Sequence, residues 1–194
     1  MKKVFLMAIA LKSVVMVQAQ VKEDIAISQK HAENLQTLCD DYSKGKATGF
    51  SSVDGYGKAV YDAAVFAIAN SVQLENLYKR QIGETKDGVT DVTITKPTLD
   101  EWIALGTTIA GEAAAIKAAT DNVEAASNEA KAAIETATKE KNPMKAAKTA
   151  KAAKAAAAVI EFGNAATPIL VEESTLQAKA VQQIIETLKS GKNL

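Results

Sequence analysis

The chain has 194 residues, 23 basic and 23 acidic, with one histidine, one cysteine and three prolines, 47% hydrophobic and only 5% aromatic. That is one domain with enough apolar side chains for a core, and it excludes a disordered composition and an internal disulfide. A single histidine leaves no pair of histidines for a metal site, and the balanced charge gives no global reason to bind nucleic acid.

The first residues read as an export signal. Lys2 and Lys3 form a basic start, residues 4–17 an apolar run, and Val17-Gln18-Ala19 a small-residue cleavage site, so cleavage is expected before Gln20. This divides the chain into a signal peptide over 1–19 and one helical-bundle domain over 20–194, periplasmic or extracellular. Lys12 interrupts the run, and the alternative is an uncleaved amphipathic or anchoring N-terminus. The run is too short for an ordinary spanning helix. Cys39 is the only cysteine, so no lipid-anchored cysteine begins the mature chain. Removing Lys2, Lys3 and Lys12 with no acid leaves 20 basic against 23 acidic residues, a formal charge of −3.

Residues 21–43 form the first predicted helix, with Val21, Ile25, Ser28, Ala32, Leu35, Cys39 and Tyr42 on one stripe. Cys39 reads there as a small core residue, with no basic cluster beside it to make it reactive. His31 borders the stripe and reads as a boundary or surface residue. Residues 44–57 are a loop by composition, with Ser52 or Asp54 as the cap of the next helix. Asp54-Gly55-Tyr56-Gly57-Lys58 suggests a phosphate loop and fails as one, because Ser52 and Ala59 stand where a glycine and a hydroxyl are required.

The second helix, 57–82, is apolar nearly all round from Ala63 to Ala69, which predicts a central helix buried on more than one face. Asn70 is expected there as a buried polar residue fixing register. Residues 83–96 are β-branched around an Asp87-Gly88 turn and predict a short extended segment or hairpin; a recognition loop or membrane-seeking tongue is the functional alternative.

The alanine-rich part follows. Thr98 and Glu101 form a capping box opening a helix over 99–141, about 64 Å long at 1.5 Å per residue. Its expected seam is Trp102, Gly106, Ile109, Ala113, Ile116, Thr120, Val123, Ser127, Ala130, Ile134 and Ala137. Asn142-Pro143 reverses the chain, with Asn142 capping a helix over 144–162. Gly163-Asn164 is expected to weaken that helix and Thr167-Pro168 to break or kink it. A last helix from Pro168 to Ser190 would bury Leu170, Leu176, Ala180, Val181, Ile184, Ile185 and Leu188; the alternative is that the last two helices are one kinked antiparallel partner of the third, which they together match in length. The fold class is therefore all-α: an elongated antiparallel bundle of four to five helices, alanine-rich and coiled-coil-like, with a short extended segment between helices two and three.

Enzymatic constellations are missing. There is no HExxH, no G-x-S-x-G, and Ser28 stands where a Glu-x-x-His pair would need its glutamate. Asp40-Asp41 and Glu172-Glu173 are adjacent and diverge on a helix. No cofactor and no catalytic or metal-binding residue is predicted. The one chemical feature is the series Lys145, Lys148, Lys151 and Lys154, which reads either as a solvated face paired with Asp121, Glu124 or Glu135 or as a surface for an anionic glycolipid or other polyanion. No aromatic residues interleave to stack on bases, so no specific nucleic-acid recognition is expected.

In architecture alone, long helices joined by a short extended segment resemble secreted helical-bundle toxins and periplasmic helical chaperones or adaptors. The expected function is non-enzymatic binding of a protein, as an adaptor, inhibitor, immunity protein or chaperone. Polyanion binding through the lysines is the alternative and membrane perturbation a weaker one; a second copy is left open as a partner.

Overall fold

The computed structural model describes the chain apart from residues 1, 46, 87, 88, 92 and 193 and the side chains of residues 2–16, 84–86 and 89–91. The fold is an all-α bundle of α1 (Lys2–Ser43), α2 (Ser51–Ile82), α3 (Leu99–Asp121), α4 (Val123–Lys139) and α5 (Pro143–Lys189). Between α2 and α3, β1 (Glu84–Lys86) pairs antiparallel with β2 (Val89–Asp91), Thr85 opposite Thr90. The extended segment expected there is thus a hairpin; Val92 and the Asp87-Gly88 turn lie outside the described residues.

The rods alternate in direction. Val21 and Ile25 of α1 meet Leu74, Leu77 and Tyr78 at the far end of α2, while Leu35 and Cys39 meet Tyr56 and Val60 at its beginning. Helices α2 and α5 form the central pair, each packed on every other helix, with α1 on one side and the α3–α4 arm on the other. Three apolar clusters follow along the axis: a proximal one around Trp102, Leu74, Leu105 and Ile184, a middle one around Tyr56, Phe162 and Leu170, and a small distal one of Val53, Ala130, Ala156 and Val159.

Most of the predicted stripe of α1 is buried, namely Val21, Ile25, Ser28, Leu35 and Cys39, while Ala32 and Tyr42 are half-buried. Its helix extends further back than residue 21, to Lys2; Val17 packs on the proximal cluster and Tyr78 Oη donates to the Gln18 carbonyl at 3.2 Å. The capping box is present, with Glu101 N donating to Thr98 Oγ1 at 3.2 Å and Thr98 N to Glu101 Oε2 at 2.7 Å. Asn142 caps α5, its Oδ1 accepting from Met144 N at 3.1 Å and Lys145 N at 3.3 Å.

Three expectations are corrected, for the start of α2, for the third helix and for the break at Pro168. The second helix begins at Ser51, not Gly57, and neither Ser52 nor Asp54 caps it. Glu129 of α4 does, its Oε2 accepting from Ser52 N at 2.7 Å and Val53 N at 3.1 Å. Asp54 instead holds the preceding turn through Thr48 N and Gly49 N, at 2.8 and 3.1 Å.

The expectation for α2 holds, a central helix buried on more than one face, with Val65 and Phe66 facing solvent at 45% and 57% exposure. The long third helix is interrupted at Asn122, whose N–H reaches back to Ala119 and Thr120 and whose Nδ2 donates to the Ala118 carbonyl at 2.8 Å. Its buried seam runs Trp102, Leu105, Ile109, Glu112, Ile116, Ala119, Ala126, Ala130 and Ala133. Every second step therefore falls one residue before the expected one, and Ala113 and Ile134 are exposed.

Finally, of the two readings of the last helices the single one is found: Gly163 and Pro168 do not break α5, which runs continuously through both. Pro168 and Asn164, whose carbonyl loses its intrahelical donor, are both exposed, while Ala166 and Leu170 on either side lock into the middle cluster. Gly163 lies where Tyr56 crosses α5, and a Cβ there would overlap the tyrosine ring; a Cβ on Gly57 would lie 2.6 Å from both Tyr42 Oη and Val159 Cγ1. These two glycines let α1, α2 and α5 approach closely.

No side chain between residues 134 and 152 is buried. The α4–α5 hairpin therefore projects beyond α1 and α2 as a two-helix arm.

Candidate functional site: a polar layer, a groove and a basic arm

A polar layer separates the proximal and middle clusters, and every rod contributes to it. At each of these places the helical spacing that brings leucine or alanine inward brings a polar residue instead: Ser28 on α1, Asn70 and Ser71 on α2, Glu112 on α3, Glu173 and Gln177 on α5. The Glu173 carboxylate is fully buried. Its Oε1 accepts from Ser28 Oγ and from Gln177 Nε2 at 2.5 Å, and its Oε2 lies 2.9 Å from His31 Nδ1. Ser28 Oγ is 2.8 Å from Ser71 Oγ, and Gln177 Nε2 also reaches the Ala67 carbonyl at 3.1 Å. On its other edge His31 Nε2 is 3.8 Å from Glu172 Oε2, a side chain 74% exposed. His31 thus joins a buried carboxylate to a solvated one.

On the opposite side of the layer Asn70 is buried, as expected, and paired with α3. Its Nδ2 donates to Glu112 Oε2 at 2.6 Å and its Oδ1 accepts from Thr108 Oγ1 at 2.9 Å. Glu112 Oε1 is buried with no hydrogen-bond partner. Burial, opposed by the Asn70 hydrogen bond and reinforced by the charge of Glu173, pushes the Glu112 carboxyl up to about 7. Burial raises Glu173 as well, against its hydrogen bonds from Ser28, His31 and Gln177.

Serine, histidine and glutamate occur together in this layer, but in an order unlike that of a hydrolase triad. There the imidazole stands between hydroxyl and acid, whereas here the acid stands between Ser28 and His31, and Ser28 is sealed from solvent. The layer holds two carboxyls whose burial favours their protonated form, and its serine Ser28 is fully buried. No group of three or more metal-ligating side chains is present among the described residues.

A groove of about 510 Å³ opens at the base of the arm, between the end of α1, the α1–α2 loop and α5. Tyr42 and Phe162 are stacked beside it, ring centroids 4.4 Å apart, and Leu38, Ala155, Ala158 and Val159 continue the apolar wall. Asp41, Asp54 and Glu161 are its charged lining residues. Lys44 sits at the rim, 2.9 Å from Asp41. Cys39, behind this wall, is buried, and burial followed by the charge of Asp40 raises its thiol to about 11, as suits an inert core residue.

Lys145, Lys148, Lys151 and Lys154 are all exposed and make no ion pair among the described residues. The acids expected opposite them are engaged elsewhere or apart: Asp121 with Lys117 at 3.0 Å and Glu135 with Lys139 at 3.6 Å. Successive lysines three residues apart are offset by about 60° around a helix, so the four form a spiral rather than a stripe. The arm from residue 131 to 151 carries six lysines and two glutamates.

The sequence signal for the layer was present but ambiguous. Glu112, Glu173 and Gln177 occupy inward-facing seam positions, which only a partner on another helix makes tolerable, and His31 and Glu173 are 142 residues apart. Compared with protein-family models, with curated proteins and with solved structures, the chain matches none of them.

Proposed function

We propose that the protein is exported and acts without catalysis, by binding another protein through the outer face of α2, as an adaptor, inhibitor, immunity protein or chaperone. The observation that carries this is the apolar strip of Val65, Phe66 and Val72, exposed at 45%, 57% and 53%. Val65, Ala69 and Val72 follow at steps of four and three and share one side of the helix, bounded by Asp62 and Asn76. With Phe66 about 100° round the helix from Val65, these side chains widen one apolar face, and contiguous exposed apolar surface is what protein partners cover. Export rests on Lys2, Lys3, the apolar run and the Val17-Gln18-Ala19 site.

The test is capture from envelope extract with the protein and with a Phe66→Glu, Val72→Lys variant. Both side chains are exposed, so the variant keeps its helicity. A partner held by the first and lost by the second supports the reading; equal capture, or none, removes it.

A second reading is favoured by the unpaired lysines of the arm: binding of an anionic glycolipid or another polyanion through Lys145, Lys148, Lys151 and Lys154. It requires retention on heparin or lipopolysaccharide that weakens steeply with salt and falls when Lys145, Lys148 and Lys151 become glutamine. Membrane perturbation draws on α5, which is long and apolar enough to cross a membrane by length and composition, yet whose apolar face forms the bundle core.

A further inference from the structure

We propose that the groove at the base of the arm receives the arm tip of a second copy of this chain, with Met144 in the apolar trough and Lys145 against Glu161 and Asp41. The interaction is head to tail and independent of the α2 surface. The groove sets the chemistry of its occupant: a stacked aromatic pair and alanine walls ask for a flexible apolar side chain, and carboxylates at the rim ask for an adjacent cation.

The arm tip has that chemistry. Met144 is 86% exposed, the most exposed large apolar side chain of the described residues, and no packing within the chain accounts for it. Lys145 beside it and Lys141 across the turn make no ion pair among the described residues. The tip also presents the amino end of the 47-residue helix α5, whose dipole favours nearby carboxylates. Glu161 has no ion-pair partner among the described residues, whereas Asp41 is shared with Lys44 and Asp54 is held by the Thr48 turn, so Glu161 carries most of the attraction.

Within one chain the tip cannot reach its own groove. Met144 and Ala155 lie on the same unbroken helix, eleven residues and roughly 17 Å apart. A second copy therefore has to supply the occupant. Because donor and acceptor surfaces differ, such contacts propagate unless the rotation between copies closes a ring.

Sedimentation velocity of the full chain over a range of concentrations tests this. Reversible self-association is expected, weakening at least about tenfold as salt rises from roughly 0.05 to 0.5 M. Met144→Asp and Glu161→Lys should each weaken it about tenfold or more without changing helicity, since both side chains are exposed. Combining Glu161→Lys with Lys145→Glu should recover part of it, since the new glutamate pairs with residue 161 but still faces Asp41. A peptide of residues 139–151 should shift the ring resonances of Tyr42 and Phe162 and compete with association. A chain that stays monomeric at every concentration overturns the proposal, even where the peptide binds. So does association indifferent to Met144→Asp and Glu161→Lys, which would place the contact elsewhere, the α2 strip included.

Discussion

The proximal trunk and the projecting arm are built from the same kind of helix and held by different physics. In the trunk four rods surround Trp102, Leu74, Leu105 and Ile184, all fully buried, and each large side chain removed from water contributes on the order of 2–3 kcal/mol. In the arm two helices face each other across alanines, and between residues 134 and 152 nothing is buried. Alanine is the best helix former, so the arm keeps its shape by intrinsic preference and end caps while burying little area. Length comes from alanine, and cohesion from the few places where bulk and polarity are matched.

Truncation should separate the two regions most sharply. Trp102→Ala, which also removes the Nε1 hydrogen bond to Gln81, should cost about 3–5 kcal/mol in urea unfolding, whereas Ile134→Ala on the arm should cost under about 1 kcal/mol. Equal losses would mean that the arm is packed more tightly than its exposure implies.

The polar layer should make the trunk, and not the arm, sensitive to pH. The Glu112 carboxyl is raised from its ordinary 4.5 to about 7 in the folded chain, so between those values the folded state holds more protons than the unfolded one. Stability then falls as pH rises from about 4.5 through 7 and levels off above, by roughly 1 kcal/mol per pH unit at most; Glu173 adds in the same direction. Glu112→Gln, which can still accept from Asn70, should flatten most of that decline in melting curves taken across the window.

Glycine exchanges probe close approach. Gly163→Ala should destabilise by about 1–3 kcal/mol because its methyl meets Tyr56, while Gly111→Ala, with nothing within 4 Å, should stabilise by about 0.5–1 kcal/mol. A local effect is expected at the arm tip. Asn142→Ala removes the two amide contacts of the α5 cap and should cost about 1 kcal/mol locally, seen as faster amide exchange near Met144 with little change in the global midpoint.

What the sequence made legible was whatever is decided locally. The α1 stripe, the Thr98–Glu101 box, the Asn142 cap and the β-branched segment all depend on neighbours within a few residues. What it hid depends on contacts across the bundle. Glu112 on the α3 seam looks like a surface residue until Asn70 is placed against it, and half of the seam lies one position earlier than spacing alone suggests. Pro168 reads as a break until its exposure and the burial of Leu170 are known, and α2 starts early because Glu129, 77 residues on, supplies its cap. Of the candidate sites, the lysines were visible from spacing, but their freedom from Asp121 and Glu135 was not, and the pairing of His31 with Glu173 required the folded chain.

The unbroken α5 has one more consequence, for the order of events during synthesis. This final helix supplies Phe162, Ala166 and Leu170 to the middle cluster, Ala180, Val181 and Ile184 to the proximal one, and Glu173 to the layer between them. Before α5 is made, α1, α2 and the α3–α4 rod can meet one another only as an open three-walled trough, with the α1 and α3 contacts on α2 available but both larger apolar clusters missing a side. Docking of α5 closes that trough along its whole length, so the two clusters and the polar layer between them are completed by one element.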